Sequence, residues 1–549
     1  MPSRRTLAWV VFAASLVALF SYYAPANDHY DRLTRARQIA AYGDVPFRDF
    51  FDPGYFLALY SSVLMQRLFG DNLLGEAVLN CGFMAIGAVA TFLLASRASG
   101  SRIWGLVAAG MVVVSQPRTY DYDKVMFFPL GLLACWHYID HPRPRALWIV
   151  AAVGVIGGLF RYDTGIYLGS GAVMAVIARQ WGTWRTMLVH LAWLAVAAAV
   201  VIAPALIYVQ STAGLWEAFD QIWRYAVTEG ARTGLMRPPS FLFESGPLFR
   251  WLPHDEAVGH LFDILVLPGI VREENAAVWL YWVAVLTPLF AALWLTTRPA
   301  HRNRSDIARL LSFAVVAEMS ARFILRDPLT ARLGGVMALS GVGVALVAAE
   351  VARVSGLLRE PRAAASGTAV RLTGALAFVL TVTSLWVLVW FPPRVLLQYG
   401  RRIAELSKVP VHTDLLPKGQ LEPLVDYLKT CTRPTDRVLT TWFVPELNFF
   451  ARRPFGGGLA VMLDNHWNQP RDQARAIAIL ESRATPVMLA TRDLEIKDSH
   501  RELWAYIDSH YEEAKVVELW GGDLVRVWVR RGWPVTGEYA KLGLPCFVS

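Results

Sequence analysis

Charged side chains are scarce in this sequence: Asp, Glu, Lys and Arg make up 18% of its 549 residues, against 55% hydrophobic ones. A water-soluble fold of this size needs more polar surface, so the balance excludes an ordinary soluble globular protein. Cysteine is scarcer still, and the four present, Cys81, Cys135, Cys431 and Cys546, stand at no metal-site spacing. Histidine forms no cluster: His29, His254, His260 and His466 are scattered and read as surface or interfacial side chains. No metal site is expected, although aspartates in outer loops leave room for a divalent cation. Also missing are an internal repeat, a small-residue cleavage pattern after the first apolar block, and the strand and spacing of a phosphate-binding loop around Gly456, Gly457 and Gly458. The first block therefore reads as retained, and the glycine run as a flexible turn.

What the chain does have is long apolar blocks. In lipid a helix satisfies every backbone polar group within its own segment, so blocks of about 20 residues predict transmembrane helices. Eleven are read. The longer ones are Leu7 to Ala24, Leu73 to Leu94, Met187 to Val209, Ala276 to Leu295, Leu333 to Ala349 and Leu372 to Phe391. Ile103 to Gln116, Val125 to Tyr138, Ala146 to Phe160, Gly165 to Ala178 and Leu310 to Leu325 are shorter and span only with their polar flanks in the interface.

Arginine supports the shorter blocks, because cations of short loops concentrate on the cytoplasmic side. With Arg4 and Arg5 inside, the inside loops carry Arg97 and Arg102, Arg143 and Arg145, Arg179 and Arg185, Arg298 to Arg309, then Arg353 to Arg371. The intervening loops are acidic or mixed. Removing one helix would invert the alternation downstream, so the pattern predicts an odd count with the N-terminus in and the C-terminus out. The net charge of +9 is then topology, and no nucleic-acid partner is expected.

The expected architecture is mainly α: a polytopic transmembrane helical bundle over 1–391 and a small extracytoplasmic α/β domain over 392–549. A first outer loop, 25–72, holds two helical stretches, Asp28 to Tyr42 and Tyr55 to Phe69, expected along the membrane surface. A second outer segment, 211–275, caps the same side. In the C-terminal part, helices are expected at Leu421 to Thr430, Arg471 to Arg483 and Ser499 to His510. Strands are expected at Arg437 to Val444 and Pro486 to Ala490, with a hairpin of Ala514 to Trp520 and Leu524 to Arg530. On that side of the membrane Cys431 and Cys546 are free to form a disulfide.

Polar residues gather at the outer ends of the helices. The first loop has Asp28, Asp31, Asp44, Arg48, Asp49 and Asp52; the second has Asp121, Asp123 and Lys124; the third has Arg161 and Asp163. Charges at membrane depth cost free energy unless paired or hydrated, so loops of mixed sign suggest one shared wet cavity. The plain alternatives are salt bridges that hold helix ends, and aspartates that cap helices or form turns, such as Asp28 as an N-cap and Asp52 before Pro53.

The first loop, from Asn27 through YGDVPFRDFFDPGYFLALYSSVLMQRLFG (42–70), resembles the first outer loop of the GT-C glycosyltransferases that use polyprenyl-phosphate sugars. TYDYDKVMFFPLG (119–131) and RYDTG (161–165) are similar to the second and third outer loops of that family. The chain has Asn27, Asp28, His29, Tyr30 and Asp31 where the protein O-mannosyl and aminoarabinose branches carry an Asp-Glu pair. The resemblance covers the first half of the chain; beyond Val209 it rests on architecture alone. It implies a GT-C type bundle in which a loop-one carboxylate activates an acceptor hydroxyl for a single inverting displacement at the anomeric carbon. Asp28 matches the catalytic position, with Asp31 and Asp49 also candidates. For the substrate and its phosphate the candidates are Arg48, Asp121, Asp123, Lys124, Arg161, Asp163, Arg322 and Arg326.

The expected function is thus transfer of a sugar from a polyprenyl-phosphate donor to an extracytoplasmic glycan, lipid or protein, by an enzyme of the bacterial inner membrane working on the periplasmic side. No cofactor is expected. A lipid or glycan transporter or flippase would place broken, charged segments at mid-membrane, and a non-catalytic glycan-binding membrane scaffold would need only the C-terminal domain.

Overall fold

The computed structural model describes residues 3–25, 27–232, 281–286, 289–290, 303–326, 330–354, 399–409, 421–491, 496–519 and 524–548. Its longer helices before the C-terminal part are α1 (Arg4–Ser21), α2 (Asn27–Tyr42), α3 (Phe56–Phe69), α4 (Leu74–Ser99), α5 (Arg102–Val114), α6 (Tyr122–Asp140), α7 (Pro144–Phe160), α8 (Tyr162–Arg179), α9 (Trp184–Thr212), α10 (Leu215–Arg232), α11 (Arg304–Arg326) and α12 (Met337–Val354). All five shorter apolar blocks are helical. Of the block at 276–295, residues 281–286 and 289–290 are described and helical; 372–391 lies outside the described residues. Among the described residues, α1, α4 and α9 are long and apolar enough to cross a membrane.

The chain packs into two compact units. One comprises Met1–Tyr23, Asn80–Pro204 and Thr233–Ile403; the other comprises Ala24–Leu79, Ala205–Arg232 and Ala404–Ser549.

The first unit is a helical bundle joined by small residues. A Cβ on Gly165 of α8 would come within 2.7 Å of the Gly158 backbone of α7, and one on Gly87 of α4 would fall 2.2 Å from the Val125 carbonyl oxygen of α6. Such backbone approach is how helices associate where the solvent is as apolar as their side chains. The outward faces are correspondingly apolar: Ile103, Ile149, Ile166, Trp193 and Val196 are exposed.

The helix directions alternate as the arginine pattern requires. At one end of the bundle Asp140, closing α6, pairs with Arg97 at the end of α4 and Arg309 at the start of α11. Arg179, closing α8, donates to the Ile139 carbonyl at 2.9 Å, and Tyr138 bonds His190 near the start of α9 at 2.7 Å. These are the loops expected inside. The loops expected outside meet at the other end, where Tyr22 after α1 donates to the Val113 carbonyl at the end of α5 at 2.8 Å.

The second unit contains an α/β fold whose sheet has the order β1-β2-β4-β3, with β1 (Val438–Thr440) parallel to β2 (Val487–Thr491) and β3 (Tyr511–Glu518) and β4 (Leu524–Arg530) forming the expected hairpin. β1 is shorter than the expected strand because Pro445 opens a new helix five residues beyond it. Helices α13 (Glu422–Cys431), α14 (Pro445–Ala451), α15 (Pro470–Ser482) and α16 (Arg501–His510) accompany the strands. A short pair, β5 (Gly537–Tyr539) with β6 (Leu544–Cys546), carries Cys546, which is disulfide-bonded to Cys431.

The first outer loop is built into this unit. Phe51 stacks on Trp467 at 4.9 Å and shares a core with Leu439, Leu480, Met488 and Trp528, while Phe50 meets Phe455 edge-on at 5.6 Å. Helix α2 is anchored alongside: Thr34 donates to the Pro445 carbonyl at 2.8 Å and Tyr42 to that of Arg452 at 2.9 Å. The glycine run proves to be a tight buried turn rather than a flexible one. Gly458 accepts the Phe51 N–H at 3.0 Å at φ 72°, and a Cβ there would stand 2.9 Å from Ile479 and 3.2 Å from the Asp49 carbonyl oxygen. Only a residue without a side chain lets the loop backbone come so close.

Candidate functional site

In the bundle unit the second and third outer loops converge as expected. A 3₁₀ turn, Thr119–Asp121, runs into α6 and sets Asp121 one turn before Lys124. The Lys124 ammonium lies 2.6 Å from the Asp121 carboxylate, and the two are 8% and 1% exposed. Asp123 accepts the Lys124 backbone N–H at 2.8 Å and is buried. Between α7 and α8 an extended residue, Arg161, turns its Nε toward both carboxylate oxygens of Asp163 at 2.9 Å.

Both cations share one aromatic face: Lys124 Nζ lies 4.2 Å and the Arg161 guanidinium 5.5 Å from the Phe323 ring centroid. Phe323 escaped the sequence reading, since an aromatic in an apolar helix carries no chemical signal. Its neighbour Arg322 is exposed, about 100° round the same helix, and Arg326 is the last residue of α11. Burial alone would raise the Asp121 carboxyl, but the Lys124 and Arg161 charges and the Lys124 hydrogen bond outweigh it and hold it below the usual carboxylate range. Gly335 leaves room at this point, for a Cβ there would lie 3.3 Å from Asp121 Oδ2.

In the second unit, four first-loop aspartates serve the fold. Asp44 is buried, taking hydrogen bonds from Gln38 and Arg437 at 2.7 Å each. Asp49 accepts from the Val45 N–H and Arg48, both at 2.8 Å, and faces Arg483 at 3.7 Å; burial pushes its carboxyl up, but these partners outweigh that and keep it low. Arg48 itself is exposed. Asp52 accepts the N–H groups of Gly54 and Tyr55 at 2.6 and 3.2 Å and forms the turn into α3, as its place before Pro53 suggested; burial raises its carboxyl, partly offset by Arg35. Asp31 pairs with Arg35 at 2.8 Å across one turn of α2.

Asp28 stands in the first turn of α2, half-buried. Asp28 and Asp31, three residues apart, occupy one face of that helix. His29 is not the surface side chain its scattered position suggested. It is fully buried with Nε2 3.1 Å from Glu76 of α4, and Ser62 donates to the same carboxylate at 3.1 Å. His466 is likewise buried, with Nε2 3.3 Å from Glu229. A half-polar sequence context cannot reveal such pairs, because their partners are far along the chain. His254 and His260 lie outside the described residues. Among the described residues no group of three or more His, Cys, Asp or Glu side chains is arranged to hold a metal ion.

No protein-family model and no curated protein matches this chain. Among solved structures it is similar to ArnT from Cupriavidus metallidurans bound to undecaprenyl phosphate, at a TM-score of 0.49 and 15% identity over 95% of this chain and 97% of that one. The apo state of the same protein aligns over the same shares at a TM-score of 0.48 and 14% identity.

Proposed function

We propose that this chain is a membrane glycosyltransferase that moves a sugar from a polyprenyl-phosphate donor to an extracytoplasmic acceptor. The observation that carries the reading is the pair of cations, buried Lys124 and partly buried Arg161, set with their carboxylates on Phe323 at the outward-assigned end of the bundle. Each cation is balanced here by a carboxylate, Asp121 or Asp163, and two cations set side by side at this end of the bundle are what a lipid phosphate would need as partners. In the reaction, an acceptor hydroxyl forms a new bond to the anomeric carbon as the bond from that carbon to the lipid phosphate oxygen breaks. The hydroxyl proton passes to a carboxylate, and the displaced phosphate keeps the electron pair of the broken bond. The leaving phosphate needs cations rather than a proton, so one general base suffices.

Asp28 is assigned as the base and Arg161 with Lys124 as the phosphate ligands. Asp31 pairs with Arg35 and Asp49 with Arg48. The active side is extracytoplasmic, as the arginine alternation requires. The test is transfer of radiolabelled sugar from a synthetic polyprenyl-phosphate donor in membranes carrying Asp28→Asn. A loss of about 10²- to 10⁴-fold is expected for removal of a general base. Full activity would remove Asp28 from that role, and unchanged activity in the Asp31→Asn and Asp49→Asn proteins as well would sink the assignment of catalysis to this loop.

A further inference from the structure

Within the second unit, a pocket of about 670 Å³ opens between the ends of α2 and α3 on one side and α13 and α14 on the other. Five cationic side chains line it, Arg37, Arg67, Lys429, Arg452 and Arg453, against one carboxylate, Asp71. Asp71 is already shared by Arg37 and Arg452. Arg453 spends its donors on the carbonyls of Lys429 and Thr432 and on the Thr432 hydroxyl, and Arg37 also holds the Phe449 carbonyl, so these two build the wall. Arg67 and Lys429 are different: their side chains make no hydrogen bond or ion pair of 4 Å or less with the described residues, yet they face the same space. Burial and the nearby Arg452 charge push the Lys429 ammonium below its ordinary value. Cations held together at this density repel one another, and the surplus is relieved by a bound anion of more than one charge.

We infer that this pocket binds a phosphomonoester group, with Arg67, Lys429 and Arg452 as its ligands. A tetrahedral dianion matches the charge surplus and offers guanidinium forks more than one pair of acceptor oxygens. Exposed Leu64 and Leu68 flank Arg67 on α3, an arrangement that suits a phosphate carried on a lipid. The inference is independent of the transferase assignment, because it concerns binding alone.

The test uses the full-length protein in phosphatidylcholine nanodiscs. Inorganic phosphate and glycerol 3-phosphate are titrated by calorimetry, and phosphatidic acid is incorporated and its retention read by native mass spectrometry. Saturable binding of any of the three is expected, weakened at least tenfold by Arg67→Glu and by Lys429→Glu and unaffected by Arg501→Glu, an exposed arginine of α16. Binding of the soluble phosphates would identify the group itself as sufficient, and binding of phosphatidic acid alone would identify a lipid headgroup; both support the inference. Absence of saturable binding, or equal weakening by Arg501→Glu, would overturn it. Thermal unfolding midpoints matching the parent protein confirm that the variants fold.

Discussion

At the scale of single residues, Lys124 and Asp121 carry opposite risks. Removing one partner of a buried pair leaves a bare charge in apolar surroundings, so Lys124→Met should destabilise by about 3–5 kcal/mol. The double variant Lys124→Met with Asp121→Leu removes both charges and should recover most of the unfolding midpoint while still failing in sugar transfer. A double variant that transfers normally would deny Lys124 its phosphate role. The pair also sets an acid limit. Because the Asp121 carboxyl is held below its unfolded value, its contribution is complete above about pH 4 and is lost as pH falls through the folded value. An acid titration of stability should therefore be shallower in the double variant than in the parent. These residues were legible in sequence, since charges of both signs beside an apolar block are conspicuous. Phe323 was not, and neither was the His29 to Glu76 pair, whose members are distant in the chain and joined only by packing.

At the scale of elements, the aromatic stretch of the first outer loop acts largely as a wedge. Phe51 is 1% exposed in a core of residues more than 380 positions away in sequence, so Phe51→Ala should cost about 3–5 kcal/mol in thermal or denaturant unfolding. Gly458→Val should loosen the same seam, since a side chain at positive φ is strained and meets Ile479 and the Asp49 backbone. If either variant unfolds like the parent, the loop is not part of that core. The helices themselves were readable from hydropathy and the hairpin from alternation around Gly521 and Gly522, because those signals are local. That the glycine run is a docking turn could not be read, for its reason lies in the backbone of another segment.

For the molecule as a whole, the Cys431 to Cys546 disulfide closes a separation of 115 residues in the second unit. Crosslinks of that kind typically contribute about 2–5 kcal/mol, so reduction should lower the unfolding midpoint of this unit measurably. A disulfide of this sort also belongs to an oxidising compartment. Thiol alkylation of protein made with and without periplasmic oxidation should show the two cysteines protected only in the first case; protection in both would count against an extracytoplasmic C-terminus.

The sequence by itself determined the apolar helical class, the alternating directions of the shorter helices and the charges at one set of their ends, because hydropathy and arginine placement are set residue by residue. Tertiary structure decided what the first-loop carboxylates touch. Asp44, Asp49 and Asp52 became parts of turns and ion pairs, while Asp28 kept a half-buried place in the first turn of α2. A carboxylate's role depends on who reaches it across the fold: Arg437 comes to Asp44 and Arg483 to Asp49 from nearly 400 residues or more away, while Asp52 is held by its own turn.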